Sequence, residues 1–365
     1  MSLDDFLAEW RDSRPTVLVH TSGSTGEPKP MLVEKRRMEA SARKTCAFLG
    51  LKEGDTALLC MSLDYIAGKM MVVRALTCGL RLISVEPSGH PLKNPGGQSL
   101  CNPLRSSHDG QSPCIDFAAM VPMQVWNSLQ VPEERERLMQ IGHLIIGGGA
   151  IDEALAAELR DFPNAVWSTY GMTETLSHIA LRRLNGPTAS DWYTPFEGVG
   201  ISLNDEGCLV IDAPTVHDGP LITNDIAELH SPNIQHPTPI THHPTPITHH
   251  PSPITHHPSP LFRILGRKDN TICSGGVKIQ AEEVERLLRA HLREPYLISK
   301  RQDQKFGEAV VLLTESTDLD AVASVCRQVL PRYWQPRHYV HVDRIPLTAT
   351  GKPARHEAER QAAKQ

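Results

Sequence analysis

The chain has 365 residues, of which 40% are hydrophobic, and it carries a formal net charge of -5 with a pI near 6.4. This length and apolar content can bury a large core and predict two domains. The lack of a basic excess argues against an electrostatic grip on nucleic acid or on an anionic membrane. Residues 1–14 lack the apolar segment of a secretory signal, and no later run is long enough to span a bilayer. We therefore expect a cytoplasmic protein that contacts small molecules, with no nucleic acid and no membrane as partners.

The 8 cysteines form no CxxC pair and follow no regular spacing. This distribution predicts neither a zinc site nor a disulfide framework. We expect reduced thiols that are mostly buried.

Before residue 230, short apolar runs precede glycine-rich or polar turns and then helical patterns. This alternation predicts an α/β domain. A helix is predicted around residues 66–76, between strands at 57–61 and 82–85, and residues 94–114 are predicted to form a surface loop. Further strands are predicted at 17–19, 144–146 and 165–167, the last leading to a loop that begins at Tyr170.

The strands predicted at 17–19, 144–146 and 165–167 are each followed by glycine or hydroxyl residues. Ligands of open α/β sheets collect at the carboxyl ends of the strands. The sequence therefore predicts that these three junctions form one shared site.

The first junction, residues 21–29, interleaves hydroxyl residues with glycines and ends in a lysine. Backbone and side-chain donors of this kind, with a mobile positive charge, suit phosphate oxygens. The spacing is not that of a Walker loop, because Lys29 comes three residues after Gly26 and is followed by Pro30. A flexible turn is the alternative interpretation. The candidate phosphate-binding residues are Thr21, Ser22, Gly23, Ser24, Thr25, Gly26 and Lys29.

The third junction contains Tyr170, Gly171, Thr173 and Glu174. Tyr170 offers a flat face for a base, Thr173 a hydroxyl for phosphate, and Glu174 a hard oxygen ligand for Mg²⁺. As an alternative, Thr173 and Glu174 cap a helix that follows them.

Several polar residues stand in the second half of the chain. Asp225 is a candidate for ribose hydroxyls together with Arg267, although each alone is more often a surface residue. Lys352 lies on a Gly/Thr-rich turn, from which its charge can reach a reacting phosphate. Solubilising charge is the alternative interpretation of that lysine.

Between Asp225 and Arg267, a seven-residue unit rich in histidine and proline repeats from His236. Its prolines withhold backbone donors and its few apolar residues cannot form a core, so a disordered insertion is predicted at about 232–260. Metal binding by the paired histidines is the alternative.

After residue 266 the pattern becomes that of a smaller unit, with helical faces at 284–292 and 322–330 and a strand at 310–313. The predicted domains are 1–266 and 267–365.

Taken in order, T-S-G-S-T-G-E-P-K, Y-G-M-T-E-T, T-N-D, G-R-K-D-N, S-G-G-V-K-I and P-L-T-x-x-G-K resemble the signature series of the adenylate-forming superfamily. This superfamily includes the acyl-CoA synthetases and other AMP-binding enzymes. Within it, residues 116–122, 146–150 and 172–180 are most similar to the o-succinylbenzoate–CoA ligases of menaquinone biosynthesis. The resemblance implies a large amino-terminal domain of mixed sheets and helices and a small, mobile α+β carboxyl-terminal domain.

The resemblance also implies a reaction and its cofactors. A small-molecule carboxylic acid attacks the α-phosphate of ATP, with Mg²⁺ bound, and coenzyme A then displaces AMP to give a thioester. By analogy the loop at 21–29 holds the β- and γ-phosphates, Thr173 lies near the α-phosphate, Glu174 binds Mg²⁺, and Lys352 neutralises the developing charge. The remaining implied residues are Gly147, Gly148, Gly149 and Tyr170 at the adenine, Asp225 and Arg267 at the ribose, Asp269 as the hinge, and Gly275 and Gly276 in the thiol step.

Two departures from the superfamily concern the acyl pocket and the ribose site. Only some twenty residues precede the phosphate loop, and a homodimer is one way to complete the pocket that an amino-terminal subdomain would otherwise close. The repeat separates Asp225 from Arg267, but a tract that loops out lets their strands approach each other.

Ser177 and His178 are candidate substrate contacts, with a structural role for the histidine as the alternative. Three other functions stay open: a ligase for another aromatic carboxylate, an adenylation unit that loads a carrier protein, and an inactive nucleotide-binding relative.

Overall fold

A computed structural model describes residues 1–20, 30–93, 115–149, 151, 153–230, 259–347 and 353–364. The predicted phosphate loop at 21–29, the predicted surface loop at 94–114, the repeats and Lys352 lie outside the described residues. The chain divides into two compact units. Unit 1 comprises Met1–Ser202, Ile211–Leu221 and Leu229–Phe262, and unit 2 comprises Leu203–Val210, Ile222–Glu228 and Arg263–Gln365. The domain boundary near residue 266 stays a prediction.

Helices and strands alternate in the first half of the chain. In order they are α1 (Leu3–Arg11), β1 (Thr16–His20), β2 (Pro30–Glu34), α2 (Lys35–Leu49), β3 (Thr56–Leu59), α3 (Ile66–Cys78), β4 (Arg81–Ser84), β5 (Ile115–Met120), α4 (Pro122–Leu129), α5 (Pro132–Met139), β6 (Ile141–Ile146), α6 (Glu153–Leu159), β7 (Ala165–Met172), β8 (Ser177–Arg183) and β9 (Thr194–Pro195).

Strands predominate in the second half. They are β10 (Gly200–Leu203), β11 (Cys208–Asp212), β12 (Leu221–His230), β13 (Leu261–Arg267), β14 (Thr271–Ser274), β15 (Val277–Gln280), β16 (Tyr296–Asp303), β17 (Gly307–Thr314) and β18 (His338–His341). The helices are α7 (Ala281–Leu288), α8 (Leu319–Val329) and α9 (Arg355–Ala363), with a short 3₁₀ turn at Lys268–Asn270.

A seven-stranded sheet with the order β4-β3-β5-β6-β7-β8-β9 forms the centre of unit 1. The strands from β4 to β7 are mutually parallel, whereas β8 and β9 run antiparallel to their neighbours. The parallel strands are almost continuously apolar, as expected when helices cover both faces. The α/β prediction and the helix predicted between β3 and β4 are confirmed.

The strand predicted at 17–19 does not join this sheet. It forms β1, which pairs antiparallel with β2 in a separate two-stranded sheet. The argument from the sheet edge therefore applies only to β6 and β7, and one site shared by all three junctions stays a prediction. The strand predicted to end at residue 167 continues to Met172, so Tyr170 lies in β7 and not in a loop.

The strands β10-β11-β12-β13 form a four-stranded sheet in that order. As expected, the strand that carries Asp225 and the strand that ends in Arg267 are neighbours, although the histidine tract separates them in sequence.

The two glycines of the Gly275-Gly276 turn join β14 to β15, and both have positive φ values of 59° and 82°. Such a two-residue hairpin requires residues that tolerate this backbone.

A five-stranded sheet lies in unit 2, in the order β15-β14-β17-β16 with β18 beside β17. The helical faces predicted at 284–292 and 322–330 appear as α7 and α8, which pack on this sheet through Val284, Leu288, Val322 and Cys326. The cysteines that the structure describes are mostly buried, as predicted. No helix within the described ranges has the length and apolar character needed to cross a membrane.

Candidate active site

The carboxyl ends of three neighbouring parallel strands define one edge of the seven-stranded sheet. Met120 of β5 lies beside Ile146 of β6, which lies beside Ser168 of β7. The chain leaves β6 at Gly147, whose amide donates to the Met120 carbonyl at 3.1 Å. A Cβ on Gly147 would stand 2.4 Å from Thr169 Oγ1, so glycine is needed for this close approach. The predicted glycine loop and the motif on β7 therefore begin at the same edge.

The segment after β7 is a tight turn that leads into β8. Thr175 is fully buried, accepts a hydrogen bond from the Met172 amide at 2.9 Å and donates to the Ser177 carbonyl at 2.6 Å. Because the chain turns back and pairs antiparallel with β7, the alternative prediction that Thr173 and Glu174 cap a helix is wrong. The Thr173 side chain is buried, and Glu174 is half-buried.

Backbone strain is concentrated in this turn. The register between β7 and β8 shifts at Tyr170 and Gly171, and a Cβ on Gly171 would lie only 2.2 Å from the Ser177 carbonyl oxygen. Leu176 and Ser177 have φ values of 57° and 130°, which residues other than glycine rarely adopt. Such strain costs on the order of 1–3 kcal/mol per residue and clusters at functional sites. The turn between β7 and β8 is therefore a candidate site on backbone geometry alone.

Tyr170 lies in an aromatic cluster with Tyr193 and Phe262. Its ring centroid is 5.1 Å from that of Phe262, edge to face, and 5.8 Å from that of Tyr193. Tyr193 and Phe262 stack at 5.4 Å, and the Tyr193 hydroxyl lies 2.9 Å from Ser168 Oγ. Aromatic pairs in these arrangements contribute about 0.5–1.5 kcal/mol beyond their buried area. The ring of Tyr170 is thereby held in place from one side.

Arg74 lies on α3 with only 1% of its surface exposed. One terminal nitrogen, Nη2, donates to Ser177 Oγ at 2.9 Å, and Nη1 contacts the sulfur of Met71 at 3.8 Å. Its Nε has no hydrogen-bond partner, and no carboxylate pairs with this guanidinium among the residues that the structure describes. Burial lowers the pKa of Arg74 to about 10, so the group is still a cation at neutral pH.

A buried cation without a counter-ion is costly in a protein interior. Arg74 reaches the first residue of β8, which directly follows the strained turn. Sequence reasoning missed this residue because an arginine within a helix normally lies on the solvent face. The signal available in the sequence is its position between Val73 and Ala75, inside an apolar run.

His178 is buried beside Ser177, and both of its ring nitrogens have partners. Nδ1 lies 3.1 Å from Ser177 Oγ, and Nε2 lies 3.0 Å from Thr45 Oγ1 of α2. The ring also packs edge-on against Phe196 at 5.5 Å. Burial, reinforced by the nearby charge of Arg74, holds the pKa of His178 well below its usual value. These contacts give the neutral imidazole a structural role, and its contact with a substrate stays a prediction.

In unit 2, the predicted ribose residues Asp225 and Arg267 lie on neighbouring strands. Arg267 forms an ion pair with Asp269 at 3.5 Å, and Asn224 Nδ2 donates to the same carboxylate at 3.1 Å. The predicted hinge residue is therefore connected to the strand that carries Asp225. Both sides of the pair are partly exposed, so its contribution to stability is small.

The Gly275-Gly276 turn of unit 2 has an aromatic and cationic neighbourhood. The Gly275 amide donates to the Phe306 carbonyl at 2.8 Å. The guanidinium of Arg337 lies over the Phe306 ring at 3.6 Å, and the ammonium of Lys305 lies 5.3 Å from the same ring. Two cations therefore lie close to one aromatic ring beside this turn.

The predicted site residues thus fall into three groups. Gly147, Tyr170, Thr173, Glu174 and Ser177 share the sheet edge and turn of unit 1. The residues in unit 2 are Asp225, Arg267, Asp269, Gly275 and Gly276. The predicted phosphate-binding residues at 21–29 and Lys352 lie outside the described residues.

A profile of the family described as AMP-binding enzyme matches residues 6–221, which is more than half of the chain. The chain belongs to the AMP-binding enzyme family. The family assignment made from the ordered motifs is therefore confirmed. Among curated relatives, the 2-succinylbenzoate–CoA ligase of Salmonella typhimurium is 25% identical over 353 residues, covering 91% of this chain and 65% of the relative. The chain thus spans about two thirds of the length of that ligase.

Two solved structures are also similar. An acyl-CoA synthetase (AMP-forming)/AMP-acid ligase II-like protein from Dyadobacter fermentans is 30% identical with a TM-score of 0.59, covering 97% of this chain and 91% of that chain. The o-succinylbenzoate coenzyme A synthetase of Bacillus subtilis, solved with ATP and magnesium ion, is 20% identical with a TM-score of 0.66. That match covers 93% of this chain and 69% of the synthetase, and it supports the fold.

Proposed function

We propose that the protein is an ATP-dependent acid–CoA ligase whose acid is o-succinylbenzoate. In the first step a carboxylate oxygen of the acid attacks the α-phosphorus of ATP, and pyrophosphate leaves. In the second step the thiol sulfur of coenzyme A attacks the acyl carbon, and AMP leaves. Membership of the AMP-binding family supports the first step, and the curated ligases that the chain resembles support the choice of acid and thiol.

The single observation that carries the choice of acid is the buried guanidinium of Arg74. A cation that is 1% exposed, with a free Nε and no described carboxylate partner, is matched by an anionic group of a ligand. o-Succinylbenzoate carries two carboxylates. One is consumed in the acyl-adenylate, so the other remains to pair with Arg74 through Nε and a terminal nitrogen. A monocarboxylic acid would leave the buried charge of Arg74 unpaired.

The residues of the strained turn suit the phosphate side of the reaction. Thr173 supplies a buried hydroxyl, and Glu174 supplies a half-buried carboxylate that forms no ion pair with any described residue. This hard oxygen fits Mg²⁺, which would offset the negative charge of the phosphates when bound. Glu174 is a single protein ligand, in keeping with a cation that retains several waters and is shared with substrate phosphates. No cluster of three or more possible metal ligands occurs among the described residues.

The remaining nucleotide contacts extend this assignment. We infer that Tyr170 packs against the adenine, with Gly147, Gly148 and Gly149 on its other side, and that Asp225 and Arg267 bind the ribose. The loop at 21–29 would hold the outer phosphates, and Lys352 would neutralise charge on the α-phosphate. Coenzyme A is an anionic ligand with a flat ring, so the surface formed by Lys305, Phe306 and Arg337 beside Gly275 supports the thiol step.

ATP–pyrophosphate exchange with a panel of carboxylic acids tests the proposal. We expect exchange with o-succinylbenzoate, and weak or no exchange with benzoate or phenylacetate, which lack the second carboxylate. Exchange with a simpler acid but none with o-succinylbenzoate would refute the choice of substrate. Coenzyme A and a carrier protein are then supplied separately, because thioester formation only with the carrier would contradict the role of coenzyme A.

A further inference from the structure

Four side chains and one carbonyl form a continuous hydrogen-bonded series in unit 1. Arg74 Nη2 lies 2.9 Å from Ser177 Oγ, and Ser177 Oγ lies 3.1 Å from His178 Nδ1. His178 Nε2 lies 3.0 Å from Thr45 Oγ1, which lies 3.3 Å from the Ser41 carbonyl. The series connects α3, β8 and α2, and its side chains are buried or partly buried. We call it the Arg74–Thr45 chain.

The direction of every bond in the Arg74–Thr45 chain follows from its two ends. Arg74 can only donate, so Ser177 accepts at that end. The Ser41 carbonyl can only accept, so the Thr45 hydroxyl donates to it and accepts from His178 Nε2–H. The neutral imidazole then has its lone pair on Nδ1 and accepts the Ser177 hydroxyl proton. This assignment uses each of these donors once and leaves no hydroxyl proton without an acceptor.

We propose that His178 and Thr45 are positioning residues that fix the Ser177 hydroxyl as an acceptor for Arg74 and so orient the guanidinium toward the second carboxylate of the acid. This inference rests on the proposed function. With its proton committed to His178 Nδ1, Ser177 Oγ presents lone pairs to Arg74. The bond to Nη2 restricts rotation of the guanidinium about its long side chain, which leaves Nε and the outer face of the fork for a ligand.

The packing around the imidazole supports this role. Phe196 packs against the ring at 5.5 Å, and the side chain of His178 is buried, so the imidazole cannot turn toward solvent. The φ value of 130° at Ser177 shows that the backbone is held in a strained conformation where the hydroxyl meets Arg74. Strain is maintained only where the surrounding contacts over-determine the geometry, as they do here.

The tautomer of His178 tests the inference without any substrate. In ¹⁵N-labelled full-length protein at neutral pH, the imidazole nitrogen shifts should show His178 protonated at Nε2 and unprotonated at Nδ1. The signals are assigned as those that disappear in His178→Gln. A neutral Nδ1–H tautomer, or a charged imidazole, would contradict the hydrogen-bond directions assigned to the Arg74–Thr45 chain. Because this measurement needs no turnover, its failure is distinct from failure of the proposed function.

Two substitutions at Thr45 test the consequence for substrate binding. Thr45→Val keeps the shape of the side chain but removes the acceptor for Nε2–H, whereas Thr45→Ser keeps the hydroxyl. We expect Thr45→Val to raise the KM for o-succinylbenzoate by about 10-fold, the effect of one lost buried hydrogen bond, with the KM for ATP unchanged. Thr45→Ser should restore the KM for the acid to within about twofold of the unsubstituted protein.

The comparison of KM values separates positioning from a general loss of structure. An increase in both KM values, or the same increase in Thr45→Val and Thr45→Ser, would refute the positioning role. An unchanged KM for the acid in Thr45→Val would refute it as well. If the unsubstituted protein forms no adenylate with any dicarboxylic acid, the proposed function fails. The tautomer measurement still decides the directions of the hydrogen bonds in the Arg74–Thr45 chain.

Discussion

Tyr193 and Phe262 are joined twice: their backbones form an antiparallel bridge with bonds of 2.7 and 3.2 Å, and their rings stack at 5.4 Å. The residue before Tyr193, Trp192, packs against His230 at 5.2 Å. His230 and Phe262 flank the histidine tract in sequence. The residues that flank the tract therefore contact two consecutive residues, Trp192 and Tyr193. These contacts lie next to the ring of Tyr170.

This anchoring leads to a prediction for the histidine tract. Removing residues 236–257 should change the rate of adenylate formation by less than about twofold, because the described residues on both sides keep their contacts and closure entropy depends only weakly on the number of residues between them. The measurements are pyrophosphate exchange and the zinc content of the purified protein. Loss of activity together with loss of bound zinc would instead support the metal-binding interpretation of the paired histidines.

The aromatic cluster should determine how tightly ATP is held. Phe262→Leu removes the ring that meets Tyr170 edge-on at 5.1 Å, so we expect ATP to bind about 5-fold more weakly, as judged by calorimetry without the acid. Phe117→Leu is the matched control, since Phe117 is equally buried in β5. Both variants should lose about 1–3 kcal/mol of unfolding free energy. An equal loss of ATP affinity in the two variants would contradict a specific role for Phe262.

Arg74 and Arg355 should respond in opposite ways to replacement by methionine. Arg355 forms two bonds of 2.8 Å with Glu285, a largely buried carboxylate, so removing it should cost about 3 kcal/mol of unfolding free energy. Arg74 has no described carboxylate partner, so Arg74→Met should leave the free energy of unfolding unchanged or raise it.

The same Arg74→Met variant should lose about 100-fold in kcat/KM for o-succinylbenzoate, since an interaction between buried charges is removed. Urea unfolding and pyrophosphate exchange measure the two effects on one preparation. A strong destabilisation of Arg74→Met with little change in kcat/KM would mean that Arg74 is structural and that another group recognises the acid.

The part of the site that the sequence predicts consists of residues whose type is informative where they stand. Gly147 and Gly171 are needed because a Cβ would meet the neighbouring strand, and Thr173 and Glu174 supply oxygens at a strand end. The α/β class follows in the same way from alternating apolar runs. Such features are local, so each can be recognised from a short segment.

The features that sequence analysis missed depend on contacts between distant segments. Arg74 and Ser177 are 103 residues apart, and Thr45 and His178 are 133 apart. Thr45 looks like an ordinary helix residue until β8 is placed beside α2. The wrong prediction for β7 has a related cause: its extension to Met172 depends on pairing with β8, and residues 170–172 have no strand pattern of their own.

The last prediction concerns pH, and its sign follows from the buried state of His178. Burial and the charge of Arg74 lower the pKa of this imidazole well below its usual value, so the folded protein keeps it neutral. In the unfolded chain the group takes up a proton near pH 6.5. Below that pH the unfolded state therefore binds more protons than the folded state, and the stability of the fold decreases as the pH falls.

A single such group lowers the unfolding free energy by about 1.4 kcal/mol per pH unit below roughly pH 6. His143 and His338 have pKa values lowered by burial and add to the same trend. Replacing His178 by glutamine removes one titrating group, so the stability of His178→Gln should decrease less steeply between pH 6.5 and 5. Urea unfolding at a series of pH values measures both slopes. Equal slopes would contradict the prediction. They would mean that the imidazole titrates alike in the folded and unfolded states, despite its buried contacts with Thr45 and Ser177.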